Sequence, residues 1–468
     1  MDRSKQLGEE KIGKLLLKFS IPAIVGMLVN ALYNMVDRIF IGRGVGSLAI
    51  SGIAVGFPLS IINMAFGMLI GIGSSTMVSI KLGEKKKDEA EKILGNALAL
   101  TVIISLIISI VGTIFLDEIL KIFGASTETL PYARSYMKYI IGGAILQNIG
   151  FGMNNIIRSE GNPKIAMATM LIGAIINTIL DPILIFVFHM GVEGAAIATI
   201  ISQAVSSIWV LYYFFSNKST LKFKKENLQL NITTVKTIFS IGMSPFFMQL
   251  AASIVTTLYN NNLIKYGGDL AVGAMGIINS IIMLFFMPMF GINQGAQPII
   301  GYNYGAKQYD RVKKTLKLAV IAGVTIATVG FIVIQCFPEF LISIFNKKDA
   351  ELIAIGAHGI RIDMIVLPII GFQVISSNYF QAIGKAKIAI FLSLSRQVIL
   401  LIPMLIILPP LFKLDGVWMA GPIADVLSSM ITATFLYRDM KKLNDSQNNE
   451  EKDEKIELKV HLENNNNN

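Results

Sequence analysis

Asp37, Asn177, Asp181 and Thr199 are the residues of this 468-residue chain whose types and spacing could do chemistry. Each interrupts a stretch otherwise apolar enough to cross a bilayer, where an ionisable group persists only with a partner or a task. Asp37 lies near the outer end of the first such stretch, Asp181 near the outer end of the fifth, and Thr199 just inside the sixth. At 1.5 Å per residue the three fall roughly 6 to 10 Å below the outer ends of their helices, a common depth at which they can meet. Asn177 precedes Asp181 by one helical turn and shares its face. Pro182 cannot donate to the carbonyl of Thr178, which leaves another oxygen free at that level. Two carboxylates, an amide, a hydroxyl and a spare carbonyl are hard oxygen ligands, suited to Na⁺ or to shared protons rather than to zinc. Neighbouring carboxylates also resist ionising together, and a cation or a proton relieves the same repulsion. A plainer alternative stands beside this one: Asp37 pairs with Arg38 or reaches the outer interface, and Asn177 and Asp181 satisfy each other.

The elements that must position these residues are membrane helices. The chain is 53% hydrophobic and 15% charged, too apolar for a soluble globule of this length. Apolar runs over 15–41, 50–80, 95–116, 136–156, 165–188, 194–215, 237–262, 272–299, 317–336, 362–383, 388–408 and 417–437 predict twelve transmembrane helices. The expected fold is an all-α integral membrane protein. Lys and Arg concentrate in alternate loops, and the positive-inside rule then places both termini in the cytoplasm and the protein, multi-pass, in the cell membrane. The net charge of +10 therefore reflects topology and anionic lipid, not nucleic acid. Cys336 is the single cysteine, so no intrachain disulfide forms. His189, His358 and His461 are scattered and no nucleophile–base or HExxH pattern appears, which argues against an enzyme; no cofactor is expected beyond a coupling ion.

The chain repeats itself. Ile21-Pro22 through Ile41 lies over Ser244-Pro245 through Ile264, KLGEKKKDEAEKIL at 81–94 over NYGAKQYDRVKKTL at 303–316, RSEGNPKIAM over QAIGKAKIAI, and GVEGAAIA over KLDGVWMA, each displaced by 222 or 223 positions. An even number of helices per unit gives two parallel six-helix repeats about an axis near the membrane normal. The expected organisation is a cytoplasmic segment 1–14, an N-lobe 15–215, a cytoplasmic linker 216–236, a C-lobe 237–440 and a disordered cytoplasmic tail 441–468. Asn260 takes the second-half position of Asp37, and Pro403-Met404 that of Asp181. One lobe has kept the acids.

LYNMVDRIFIG in the first helix, the KLGEKKKDEA and NYGAKQYDRV loops, IRSEGNPK, NTILDP and GVEGAAIAT together resemble the MATE family, the multidrug and toxic compound extrusion antiporters, over about residues 12 to 440. In the branch it is most similar to, the resemblance implies an N-lobe cation site built from Asp37, Asn177, Asp181 and Thr199, holding Na⁺ if sodium is the coupling ion or H⁺ otherwise. Another branch uses acids in helices 7 and 10, where this chain has Gln249 and Phe372-Gln373. The implied function is efflux of organic, often cationic and amphipathic drugs or toxic metabolites against inward Na⁺ or H⁺, by a monomer in contact with membrane lipid. A flippase for a lipid-linked substrate is the alternative. Asn30 and Asn154 fall where the family places substrate-contacting amides. Met287, Asn293 and Gln294, in the mixed thioether, aromatic and amide run of helix 8, are further cavity candidates by composition; lipid contact and packing are the commoner reason for such a run. Asp425 faces no polar partner that the sequence identifies and reads as structural.

Overall fold

In the computed structural model, residues 4–345 and 349–466 are described, side chains at 34, 38, 42, 43, 47, 48 and beyond 445 excepted. Long apolar runs become helices because only internal hydrogen bonding satisfies the backbone in lipid. Among the described residues eight helices are long and apolar enough to span, and two bent pairs bring the number to ten. Two rods divide again at residues with non-helical backbone, Gly268 (φ 67°) and Lys413 (φ 54°), which makes twelve. The N-lobe holds α1 Ile12–Gly44, α2 Ser47–Gly83, α3 Lys87–Ile114, α4 (Leu130–Gly142 and Ala144–Ser159), α5 Pro163–Val187 and α6 Gly191–Phe215. The C-lobe holds α7 232–267, α8 269–305, α9 Tyr309–Cys336, α10 (Ala350–Asp363 and Leu367–Ala382), α11 386–412 and α12 414–466. Among the described residues there is no strand.

The duplication read from the sequence is written in the backbone as well. Positive φ angles recur at Gly46 and Gly268, Lys85 and Lys307, Gly161 and Gly384, and Gly191 and Lys413, each pair 222 or 223 positions apart. The turns between helices are thus the same turns twice. The fourth helix of each half is bent, by 52° in α4 and 53° in α10. The α4 bend sits at Gly143, whereas the α10 bend follows Asp363 directly.

Among the described residues the core has three parts. At the end carrying both termini, one apolar cluster runs through both lobes, from Leu7, Phe19 and Val78 to Ile238, Ile299 and Tyr379. At the opposite end each lobe has its own cluster, around Tyr136 and Ile185 in the N-lobe and around Tyr259 and Trp418 in the C-lobe. The lobes are therefore joined on the termini side. Glycine permits that closeness: a Cβ on Gly242 would sit 1.8 Å from the Leu69 carbonyl oxygen, and one on Gly83 2.0 Å from that of Tyr302.

Of the boundaries that differ from the sequence reading, two bear on the polar clusters. The fourth helix starts at Leu130 rather than near 136, and the tenth at Ala350 rather than near 362. Charged residues such as Arg134, Glu351 and Arg361 make those outer turns look like loop, yet one face of each is apolar and buried. Beyond 441, where the sequence lacks a core-forming pattern, the backbone continues in helix to Asn466. The Glu and Lys residues of that stretch are good helix formers, and a helix does not require an apolar stripe.

Candidate functional site

The N-lobe cluster is built by four helices around one break. In α5 the sequence Asp181-Pro182 ends the regular helix, and Ile183–Val187 continues as a π-turn, since Pro182 supplies no N–H to the preceding turn. Asp181 is fully buried, Asn177 nearly so, and Asp37 and Thr199 are less than a tenth exposed. Asn177 Nδ2 donates to Asp181 Oδ1 at 3.2 Å and lies 3.4 Å from Thr199 Oγ1. Thr199 in turn donates to the Ala195 carbonyl at 3.0 Å. The carboxyls of Asp37 and Asp181 are within hydrogen-bond reach of each other. Asn177 Oδ1 and Asp181 Oδ2 are buried without a hydrogen-bond partner.

All four residues singled out from the sequence thus come together. Arg38, the alternative partner of Asp37, has a side chain outside the described residues. Tyr136 is the member that sequence reasoning missed: it is buried on α4, its hydroxyl bonds Thr199, and it faces Asp37, Asp181 and Tyr33. A phenol at the margin of a predicted span carried no charge to draw attention. Among the described residues no three His, Cys, Asp or Glu gather as a metal set. With two carboxylates, an amide oxygen and hydroxyls, the arrangement can hold one monovalent cation, or one or two protons, and it can do so with oxygens already aimed inward.

The residues assigned to a substrate cavity are more dispersed. Asn154 is buried on α4 with its Oδ1 unpartnered, and Asn293 on α8 is buried with its Nδ2 unpartnered. Asn30 is exposed on α1, and Met287 is partly buried on α8. Gln294 reaches from α8 across to α1, its Nε2 3.8 Å from Met27 Sδ, while Gln297 donates to Thr76 Oγ1 at 2.7 Å. Asn154, Met287 and Asn293 share no hydrogen bond with one another.

In the C-lobe, Asp425 has a partner that the sequence did not identify. Asp425 on α12 is paired with Arg396 on α11, and both face Asp363 and Tyr259. Arg396 was legible as one of the few basic residues inside a predicted helix; a buried guanidinium requires a counter-ion, and that requirement points to Asp425. Asn260, the repeat counterpart of Asp37, is exposed instead.

The chain is similar to known proteins over most of its length. The family model MatE matches residues 22–183 and 243–407, one segment in each lobe. The multidrug export protein MepA of Staphylococcus haemolyticus is 29% identical over 429 residues, 92% of this chain and 94% of the relative. The MATE multidrug transporter DinF-BH, solved as a ligand complex, is 42% identical with a TM-score of 0.87, covering 94% of this chain and 98% of that one. A MOP superfamily transporter from Pyrococcus furiosus is 25% identical with a TM-score of 0.88, covering 94% of this chain and 98% of that one.

Proposed function

The chain belongs to the MATE family of multidrug export transporters, and from that premise we propose that it is an antiporter driven by cations entering at the N-lobe cluster. It is a multi-pass membrane transporter of small molecules, not an enzyme. The observation that carries the antiport reading is the Asp37–Asp181 contact, buried beside the unpartnered oxygens of Asn177 and Asp181. Two acids held at that distance repel when both are ionised, and an incoming Na⁺ or H⁺ removes the repulsion.

With the termini in the cytoplasm, the shared core closes the cytoplasmic side and the N-lobe cluster faces the outside. A cation enters there, neutralises Asp37 and Asp181, and alters how α1 packs against α5 and α6. Drug leaves outward. The lobes then separate on the termini side, release the cation and admit the next substrate, an organic and often cationic amphiphile. Each positive charge moving inward through 100 mV contributes about 2.3 kcal/mol.

The test uses vesicles reconstituted with the purified transporter, imposed Na⁺ or H⁺ gradients, and the cationic dye ethidium as substrate. Wild type is expected to export dye under one of the two gradients. Asp37→Asn and Asp181→Asn are expected to lose at least nine-tenths of that gradient-driven rate. Undiminished export in both variants would refute the coupling site, and lipid scrambling without dye movement would make the protein a flippase instead.

A further inference from the structure

The C-lobe contains a second buried polar cluster, built by the repeat counterparts of the helices that build the first. Tyr259 comes from α7, Asp363 from α10, Arg396 from α11 and Asp425 from α12, against α1, α4, α5 and α6 in the N-lobe. Tyr259, Asp363 and Asp425 are each more than nine-tenths buried, and the Arg396 side chain is about three-quarters covered. The Asp363 and Tyr259 oxygens converge on one point of α12: a Cβ added to Gly421 would lie 3.0 Å from Asp363 Oδ1 and 3.1 Å from the Tyr259 hydroxyl. Arg396 sits in a π-turn, Ser395–Leu401, and the N-lobe acid Asp181 lies two residues before one, Ile183–Val187.

The two clusters differ in their cation. In the N-lobe two acids wait for one from solution; in the C-lobe Arg396 supplies it from the chain and is committed to Asp425. Asp363 is left over. No described side chain donates a hydrogen bond to it, and the groups that face it are the Arg396–Asp425 pair and the neutral Tyr259 hydroxyl. With both acids ionised the cluster carries one negative charge in excess, buried where such a charge is poorly solvated. A metal ion would find too few free oxygens, since Asp425 is engaged and only Asp363 and Tyr259 remain. A proton needs one oxygen.

We infer that Asp363 is a second proton-binding group, independent of the Asp37–Asp181 pair, that takes up and releases a proton at the bend of α10. Its place matters for the mechanism. Asp363 is the last residue before the 53° break, and the equivalent break in α4 has Ile141 at the matching position, in a helix that carries no Asp or Glu of its own. Protonation removes a charge from one bend and not from the other, so the two lobes respond differently to the same proton concentration. The inference does not depend on the N-lobe reading.

The experiment is pH-jump difference infrared spectroscopy of the full-length protein in lipid nanodiscs, which needs no drug and no gradient. The wild-type difference spectrum is expected to contain a protonated-carboxyl C=O band that disappears in Asp363→Asn and persists in the Asp37→Asn, Asp181→Asn double variant. Arg396→Met, which removes the resident cation, is expected to add a second such band as Asp425 also retains a proton. Asp425→Asn releases Arg396 to pair with Asp363 and is expected to move the Asp363 band to lower pH by at least one unit; it also serves should Asp363→Asn fail to fold. A band unchanged by Asp363→Asn, or unmoved by Asp425→Asn, would overturn the assignment.

Discussion

Tyr136 shows most directly what a single side chain adds to the N-lobe cluster. Its hydroxyl bonds Thr199 and faces both carboxyls, so it fixes the Thr199 oxygen without contributing charge. Tyr136→Phe removes one neutral hydrogen bond and leaves the ring packing intact, a loss of about 0.5–1.5 kcal/mol. The expected outcome is a roughly two- to tenfold rise in the cation concentration giving half-maximal dye export, with the maximal rate largely kept. An unchanged half-saturation would place Tyr136 in the packing alone. At this scale the sequence was legible in proportion to charge. Asp37 and Asp181 stand out because an acid in an apolar run demands explanation, and depth matching then drew in Thr199. Tyr136 and Tyr259 do not stand out, because a phenol in a membrane helix is ordinary until its neighbours are known. Asp425 is half legible: the acid stands out in its apolar run, but spacing along two different helices does not say that its face meets Arg396.

Among the elements, the segment between the lobes is the least like a free linker. Residues 216–231 are fastened to the N-lobe by buried polar groups: Asn96 on α3 donates to the carbonyls of Asn227 at 3.0 Å and Gln229 at 3.1 Å and accepts from the Asn231 N–H at 2.7 Å. Glu91 forms an ion pair with Lys224 at 2.6 Å. Glu160, in the loop after α4, is fully buried and accepts from the Tyr213 hydroxyl, from Ser219 Oγ at 2.9 Å and from the Leu221 N–H at 3.2 Å. Burial pushes its carboxyl up from 4.5 to about 7, the hydrogen bonds opposing that shift in part. The docked state therefore holds the proton more tightly than the undocked one. Docking is strongest below pH 4.5 and weakens as pH rises through about 7. Amide hydrogen exchange at 219–221, corrected for its intrinsic pH dependence, is expected to be several-fold faster at pH 8 than at pH 5. Glu160→Gln is expected to remove that difference, and a pH-independent wild type would contradict the shift. Composition marks this segment as polar and loop-like, and it is; composition cannot show that its backbone amides find partners on α3 and α4. The extra outer turns of α4 and α10 escaped for a related reason, since charges facing solvent hid an apolar face turned inward.

For the molecule as a whole, the repeat was legible early because it rests on order and register rather than on any one contact, and the matched φ angles carry it into three dimensions. What the sequence could not give is which side of the paired lobes is closed. The shared core lies at the end bearing the termini, and the N-terminal segment crosses the seam there. Gln6 donates to the Gly161 carbonyl of the N-lobe at 2.7 Å, while Asn303 and Arg311 of the C-lobe both donate to the Leu7 carbonyl at 2.9 Å. Alternating access requires this seam to open. A cross-link tests that requirement: a Cβ on Gly301 of α8 would lie 2.9 Å from the Ser79 Cβ of α2, so small adjustments bring the two positions to disulfide distance. Cys336 is exposed and is first replaced by Ser to remove the natural thiol. In the Ser79→Cys, Gly301→Cys variant, oxidation is expected to cut gradient-driven dye export at least tenfold and reduction to restore it, with each single variant insensitive to both. Full export from the oxidised double variant would mean that substrate passes without separation of the lobes on the termini side, and the rocking mechanism would have to be abandoned.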